Sequence, residues 1–179
     1  MTVKEISEAA ELSPAAQALA KDDSTPATYV DSLEKQPEPL YPDAIKFMAF
    51  QMEAQSAVKW ACACVRELQA PELKDQKNET LDACEQWTKS PNDEARWTAK
   101  KTSDKAKPSG STKLIAMGVF FSGGTIAGPG APETPPPKNL AQKMLAGSVQ
   151  SVVMSYKPET ASDRYKRALA IGKGMSQAG

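Results

Sequence analysis

Proline stands at five points where a helix can begin, and this punctuation restricts the fold of the chain more than any other feature of the sequence. The pairs are Ser13-Pro14, Thr25-Pro26, Tyr41-Pro42, Ser90-Pro91 and Lys157-Pro158. Proline suits the first turn of a helix because its missing N–H would have no intrahelical partner there. Ser13, Thr25 and Ser90 can each cap the free N–H groups that follow. The pattern therefore predicts five helix starts along the chain.

The runs that follow these prolines have the period of an amphipathic helix. In the segment 54–68, Ala57, Ala61, Val65 and Leu68 recur at spacings of three or four residues. No run alternates apolar and polar residues between hairpin turns, as a half-buried strand would. The predicted helices are 3–10, 14–20, 26–35, 42–52, 54–69, 76–89, 91–103, 111–121, 138–155 and 159–175. The sequence therefore predicts an all-α fold.

The length of 179 residues suits one domain with a single core, so we expect one helical domain over residues 1–179. Short connections favour antiparallel neighbours, in a compact multi-helix bundle or an orthogonal array of helical hairpins. Residues 1–24 are a candidate for a loosely attached N-terminal segment. Residues 102–112 are polar and residues 122–137 are rich in glycine and proline, and both are predicted to be exposed loops.

Charge and composition argue against several classes of function. Lysine plus arginine equals aspartate plus glutamate at 22 each, so we expect no nucleic-acid partner and no anionic membrane partner. Histidine is absent, which removes imidazole bases and His-activated nucleophiles. The N-terminus is acidic where a signal peptide is apolar, and no stretch approaches the roughly 18 apolar residues of a membrane span. The three cysteines fit a reducing compartment, so a cytoplasmic location is expected.

The stretch FFSGGTIAGPGAPETPPPK, residues 120–138, raises the question of a phosphate-binding loop. A Walker loop needs lysine and then serine or threonine directly after its last glycine, whereas Gly130 is followed by alanine. The stretch is therefore predicted to be a stiff connector. In this interpretation Gly123 or Gly124 ends one helix, the prolines hold an extended polyproline-like path across the surface, and Pro137 starts the next helix.

Eight residues are candidates for a surface that binds another protein. They are Trp60, Arg66, Arg96, Trp97, Gly123, Gly124, Ile126 and Pro129. The tryptophans and arginines belong to residue types enriched at interface hot spots, although large indoles more often pack between helices. The other four lie on the long loop, and loops on a rigid scaffold often bind partners. For Ile126, packing against the protein's own helices is the alternative.

The remaining polar groups show no catalytic or metal-binding pattern. Cys62 and Cys64 point about 200° apart on a helix, which places Cys62 on the apolar stripe and Cys64 away from it; both are expected to act as small buried hydrophobic residues. The carboxylates are scattered and lack the spacing of a calcium loop. Residues 163–167 are predicted to form a solvated helical face with Tyr165 turned inward. We therefore predict no catalytic residue, no cofactor and no metal.

Three blocks of sequence carry a family resemblance. They are TPATYVDSL with LYPDAIKFMAFQMEAQSAVKWACACVREL, then ACEQWTKSPNDEARWTA, then AMGVFFSGGTIAGPGAPETPPPKNLA with SDRYKRALAIG. Together they span residues 25–172, and their most specific parts are the helix 57–66 and the Phe-x-Ser-Gly-Gly loop with its prolines. In these blocks the chain resembles an uncharacterised bacterial family of all-helical proteins.

The resemblance implies no catalytic motif, and it implies genes near type VI secretion clusters. It therefore favours a non-catalytic interaction module, an adaptor or chaperone that helps to load an effector, with a secretion spike, adaptor or effector as its partner. One alternative is an immunity protein that neutralises a cognate toxin. Another is a helical enzyme with a carboxylate and a lysine in a cleft, where perturbed pKa values would be expected. Whether the chain self-associates stays open.

Overall fold

The computed structural model describes residues 1–21, 23–108 and 110–176, which contain eleven α-helices, one short 3₁₀ turn at Pro158–Thr160 and no β-strand. The helices are α1 (Val3–Ala9), α2 (Pro14–Ala18), α3 (Pro26–Glu34), α4 (Tyr41–Gln51), α5 (Ala54–Leu68), α6 (Pro71–Lys74), α7 (Glu79–Lys89), α8 (Asp93–Ala106), α9 (Gly110–Phe120), α10 (Leu140–Met154) and α11 (Ala161–Ser176). The predicted all-α class is confirmed. Within the described part of the chain, no helix combines the length and apolarity that a membrane crossing requires.

Two of the three predicted helix caps are present. Ser13 and Thr25 each accept a hydrogen bond at 3.2 Å from the N–H three residues further on, at the starts of α2 and α3. Ser90 is not a cap. Asn92 caps α8 instead, accepting a hydrogen bond of 2.9 Å, and the helix begins at Asp93. The capping side chain of Asn92, and not Pro91, therefore determines where α8 begins.

Helix α5 lies at the centre of the core and packs against α7, α9, α10 and α11. Trp60 is fully buried, and its indole N–H donates to the Ala168 carbonyl at 2.9 Å. Cys62 and Cys64 are both buried, although Cys64 lies away from the apolar stripe. The reason is that α11 packs on a second side of α5, which would be exposed to water if only the apolar stripe were covered. Burial raises the pKa of both thiols, because it disfavours the charged thiolate.

The N-terminal segment 1–24, considered above as loosely attached, packs on the core within its described residues. Val3, Ile6 and Leu12 are buried. The Asp43 carboxylate on α4 accepts hydrogen bonds from the Ser13 N–H at 2.9 Å and from the Ser13 hydroxyl at 2.8 Å. These contacts secure the segment to α4; residue 22 lies outside the described residues.

The predicted exposed loop 102–112 is corrected: most of the segment is helical, although residues 104–107 and 110 are exposed. Helix α8 continues to Ala106 and α9 begins at Gly110, so only 107–109 separate them, and residue 109 lies outside the described residues. Three polar side chains of this segment are buried: Ser103, Ser111 and Thr112. The Thr112 hydroxyl accepts a hydrogen bond from the Asn78 amide at 3.2 Å, and the Ser148 hydroxyl donates to the backbone carbonyl of Ser111 at 2.9 Å. Polarity predicted exposure here, but a satisfied polar group can be buried at small cost.

Candidate interaction site

The long Gly/Pro-rich connection between α9 and α10 folds back on itself. The Ile126 N–H donates to the Thr134 carbonyl at 2.8 Å, and the Thr134 N–H donates to the Thr125 hydroxyl at 2.9 Å. Between these residues the chain turns at Gly130, whose φ of +81° favours glycine. The expectation of an extended path across the whole segment is therefore corrected: residues 125–134 form a closed loop, because two glycines permit turns among the prolines.

At the two ends of the connection, the start of α10 differs from the expectation, whereas the positive φ lies at one of the two glycines expected. Helix α10 begins at Leu140 and not at Pro137. Asn139 precedes it with a φ of +62°, which ends the proline run in a left-handed turn. At the other end Gly124, and not Gly123, has a positive φ, of +63°. A Cβ added at Gly124 would lie 2.5 Å from an Asp93 carboxylate oxygen, so this position requires glycine on two grounds.

Arg96 of α8 holds the start of the loop. Its guanidinium donates to the Phe120 carbonyl at 2.6 Å and to the Thr125 carbonyl at 2.8 Å. It also donates to one oxygen of Asp93, at 2.9 and 2.7 Å. Arg96 is only 3% exposed, whereas Asp93 is 63% exposed. The buried cation therefore gives a hydrogen-bond partner to the last carbonyl group of α9 and holds the first residues of the loop in place.

The hydrogen bonds of Arg96 to the loop and to the end of α9 are here called the clamp. Trp97 lies beside this clamp and is half-buried. Its ring packs edge-on against Phe120, with 4.9 Å between ring centroids and an interplanar angle of 73°. The rest of the indole faces a groove of about 550 Å³ between α8 and the loop, here called the loop groove. Its lining includes Glu94, Trp97, Lys101, Thr125, Pro129 and Ala131. The site therefore combines an aromatic surface, one carboxylate, one ammonium group and a proline-bearing loop tip.

The structure brings six of the eight candidate residues into this region and leaves two outside it. Arg96 and Trp97 lie beside the loop, and Gly123 and Gly124 form its start. Ile126 is half-buried within it, and Pro129 lies at its exposed tip. Trp60, by contrast, belongs to the core, so its place in a candidate surface is corrected.

Arg66 lies outside the loop groove as well and joins α5 to α7. It forms ion pairs with Asp82 at 2.6 Å and with Glu85 at 3.0 Å. The Glu85 hydrogen bond is the largest of the contributions that raise the pKa of Arg66. Its half-buried guanidinium is therefore engaged within the protein.

Two lining residues of the loop groove, Glu94 and Lys101, were missed by sequence reasoning. A signal for them exists, because 94, 97, 98 and 101 have the spacing of one helical face. Thr125 and Thr134, which close the loop, were also missed. The two threonines are nine positions apart in a stretch rich in glycine and proline, which has no periodic pattern.

Lys173 meets two carboxylates at a groove, the arrangement that a helical enzyme would need. Lys173 of α11 forms ion pairs with Asp31 at 2.7 Å and with Glu34. Burial opposes the charge on Lys173, but its hydrogen bonds to the two carboxylates outweigh this and raise its pKa. A lysine that acts as a base or nucleophile near neutral pH needs a lowered pKa. The arrangement therefore stabilises a charged lysine and does not activate it.

Comparison with known proteins gives one family. No curated protein and no solved structure matches the chain. The family model described as "Family of unknown function (DUF6931)" matches residues 29–175, which cover helices α3 to α11 almost completely, including Arg96, Trp97 and the whole loop. The chain therefore belongs to this family of unknown function, DUF6931.

Proposed function

We propose that the protein is a non-catalytic adaptor or chaperone that binds another protein through the loop groove. The observation that carries the proposal is the clamp of Arg96, which holds a glycine- and proline-rich loop in one conformation beside a half-exposed tryptophan. A loop that is already ordered loses little conformational entropy when a partner binds. The clamp therefore converts a segment that composition would leave variable into a preformed surface.

The chemistry of the loop groove suits a protein partner. Trp97 offers a large apolar surface of the type that dominates interface energetics. Glu94 and Lys101 are one turn to either side of it on α8, so they can select the orientation of a partner by charge. The loop tip from Gly128 to Ala131 is exposed and protrudes as a surface that a partner can contact from several sides.

The family resemblance supports a cellular context for this proposal. It implies genes close to type VI secretion clusters, and the absence of histidine leaves few catalytic options. The proposed role is to hold an effector in the cytoplasm and to help load it on the secretion spike. The partner is then a spike, adaptor or effector protein, and nucleic acid and membrane have no part in the role.

Affinity purification of the tagged protein from its native host, followed by mass spectrometry, tests the proposal. We expect a spike, adaptor or effector protein to be recovered with the wild-type chain. Ala131→Arg, at the exposed loop tip, should remove this partner without affecting the core. Ala170→Arg, the same change at an exposed position of α11, is the matched control and should leave recovery unchanged.

Other outcomes count against the proposal. Full recovery with Ala131→Arg would show that the partner binds elsewhere. Recovery of a toxin whose activity disappears in the complex would identify an immunity protein instead. Trp97→Ala should also abolish recovery, and its circular dichroism and melting temperature must be measured beside it because Trp97 packs on Phe120.

A further inference from the structure

A second groove opens between α3 and α11 and shares no residue with the loop groove. Its volume is about 610 Å³, and its walls include Ala27 and Val30 of α3 and Met175 of α11. Both walls pack on α4. The carboxyl-terminal end of α4 and the start of α5 complete the groove with Met52 and Ser56. It therefore has the position that a further helix would occupy on this side of the domain.

Three of the seven methionines line this groove, here called the methionine groove: Met48, Met52 and Met175. Met48 is 1% exposed and lies beneath the other two, which are half-buried. Methionine is unbranched and polarizable, so a surface rich in it adapts to different apolar side chains. Grooves of this kind take the apolar face of a helix, with anchors one turn apart.

The charged groups of the methionine groove are mainly acidic. Lys173 is held by Asp31 and Glu34 together, so one carboxylate charge of that cluster remains. Glu53, exposed at the start of α5, also lines the groove, and the ion pairs of the described residues do not include it. Asp31, Glu53 and Lys173 line the groove, and Glu34 pairs with Lys173 from outside the lining, so these four groups together carry two net negative charges. A partner with positive charge is complementary to this edge, and one with negative charge is repelled.

We propose that the methionine groove binds an amphipathic helix of another protein, with large apolar residues on one face and lysine or arginine beside them. The apolar anchors replace water over Met52 and Met175, above the buried Met48. The basic residues meet Asp31 and Glu53 at the edge, while Lys173 stays paired with Glu34. The proposal is independent of the loop groove, since different helices build the two sites.

The test uses two peptides of about 18 residues, long enough to be helical on binding. Both carry leucine on one face; the polar face has lysine in the first peptide and glutamate in the second. The protein is labelled with ¹³C at the methionine methyl groups, and its NMR spectrum is recorded during titration. The seven methionines give the control within one molecule, because Met117, Met144 and Met154 lie outside the groove.

The lysine peptide should cause saturable shifts of the Met48, Met52 and Met175 methyl signals and leave the other methionine signals unchanged. The glutamate peptide should bind at least roughly tenfold more weakly, because several exposed charge pairs change from attraction to repulsion. Equal binding of the two peptides would overturn the proposal. So would shifts spread over all methionines, or no saturable shift.

Substitution adds a second, matched comparison. Met52→Lys places a cation inside the acidic groove and should weaken binding of the lysine peptide at least roughly tenfold. Met154→Lys, at a methionine that is 47% exposed, is the control and should leave binding unchanged. Undiminished binding by Met52→Lys would contradict the proposal. Ala131→Arg should bind the lysine peptide normally, so failure here and failure of the adaptor proposal can be told apart.

Discussion

Arg164 and Arg96 both donate hydrogen bonds to backbone carbonyl groups, but they hold different parts of the molecule together. Arg164 of α11 donates to the carbonyls of Val152 and Val153 at 2.6 and 2.7 Å and to the carbonyl of Leu68 at 2.5 Å. It thereby joins the carboxyl-terminal ends of α10 and α5. Arg96 joins the end of α9 to a loop. Both satisfy carbonyl groups that a helix leaves without partners at its end.

The electrostatics of the two arginines also differ. Arg96 has a carboxylate partner in Asp93, whereas the ion pairs of the described residues do not include Arg164. Burial lowers the pKa of Arg164, because it disfavours the charged form. The helix carbonyls and the nearby Tyr156 ring oppose this effect and hold the charge. The comparison teaches that a helix end can hold a cation without a carboxylate. The two arginines also differ in role: Arg164 connects helices of the core, whereas Arg96 connects a helix to a surface loop.

Arg164→Met should have the largest effect on global stability. Methionine keeps much of the side-chain volume but removes the hydrogen bonds of Arg164 to three carbonyl groups, at a cost of about 3 kcal/mol. The Val152 carbonyl keeps a bond from the Ser155 hydroxyl at 3.0 Å. Urea unfolding followed by circular dichroism measures this free energy. Arg164→Lys is the control and should recover part of the loss, because lysine keeps the charge but not the fork of donors. A loss below about 1 kcal/mol for Arg164→Met would contradict the role of Arg164 as a joint between helices.

Arg96→Met should reduce the free energy of unfolding less, by about 2 kcal/mol. The carbonyl of Thr125 belongs to a surface loop and can turn to water, which limits the loss. The same substitution should loosen the loop, visible as faster proteolysis within residues 122–137 than in the wild-type chain. If Arg96→Met costs more than Arg164→Met in the same urea experiment, the distinction between the two joints fails.

Gly124→Ala should destabilise the protein by about 1 kcal/mol, since alanine is strained at positive φ. The added Cβ would also press on Asp93 and Arg96. Gly123→Ala is the matched control, because that position has no close neighbour for a Cβ and no positive φ. Thermal unfolding of both variants measures the difference. Equal melting temperatures would show that the clamp tolerates a side chain at Gly124.

Asp93→Asn should have the smallest effect, about 0.5 kcal/mol, because Asp93 is largely exposed and its ion pair is partly screened by water. The carbonyl groups of Phe120 and Thr125 still hold Arg96 in this variant. Unfolding at low and at high salt measures the contribution, which should shrink as salt rises. A loss as large as that of Arg96→Met would show that the carboxylate, and not the carbonyl pair, holds the guanidinium.

Local sequence patterns predicted the helices well and the long-range contacts poorly. Proline and capping residues marked helix starts such as Pro14 and Pro26 because these signals act within one turn. The four-residue α6 was missed, since it is too short to show a period. The polar residues of 102–112 predicted a loop, whereas most of this segment is helical and Ser111 is buried.

The candidate site was predicted in its residue types but not in its construction. Trp97 and the loop residues were expected at a surface, yet the role of Arg96 depends on carbonyl groups 24 and 29 residues away. Arg164, assigned to a solvated face, reaches Leu68 across 96 residues. No local period encodes such distances, so a sequence marks these arginines only as charged residues on helices.

Amide hydrogen exchange of the loop is the most direct test of the central claim, that Arg96 holds a preformed surface. In the wild-type chain, the amides of Ile126 and Thr134 should exchange about 30-fold more slowly than in Arg96→Met, which corresponds to about 2 kcal/mol. The amides of α5 should stay protected in both. Equally fast exchange of the two loop amides in both proteins would show that the loop is not held by the clamp, and the account would be wrong.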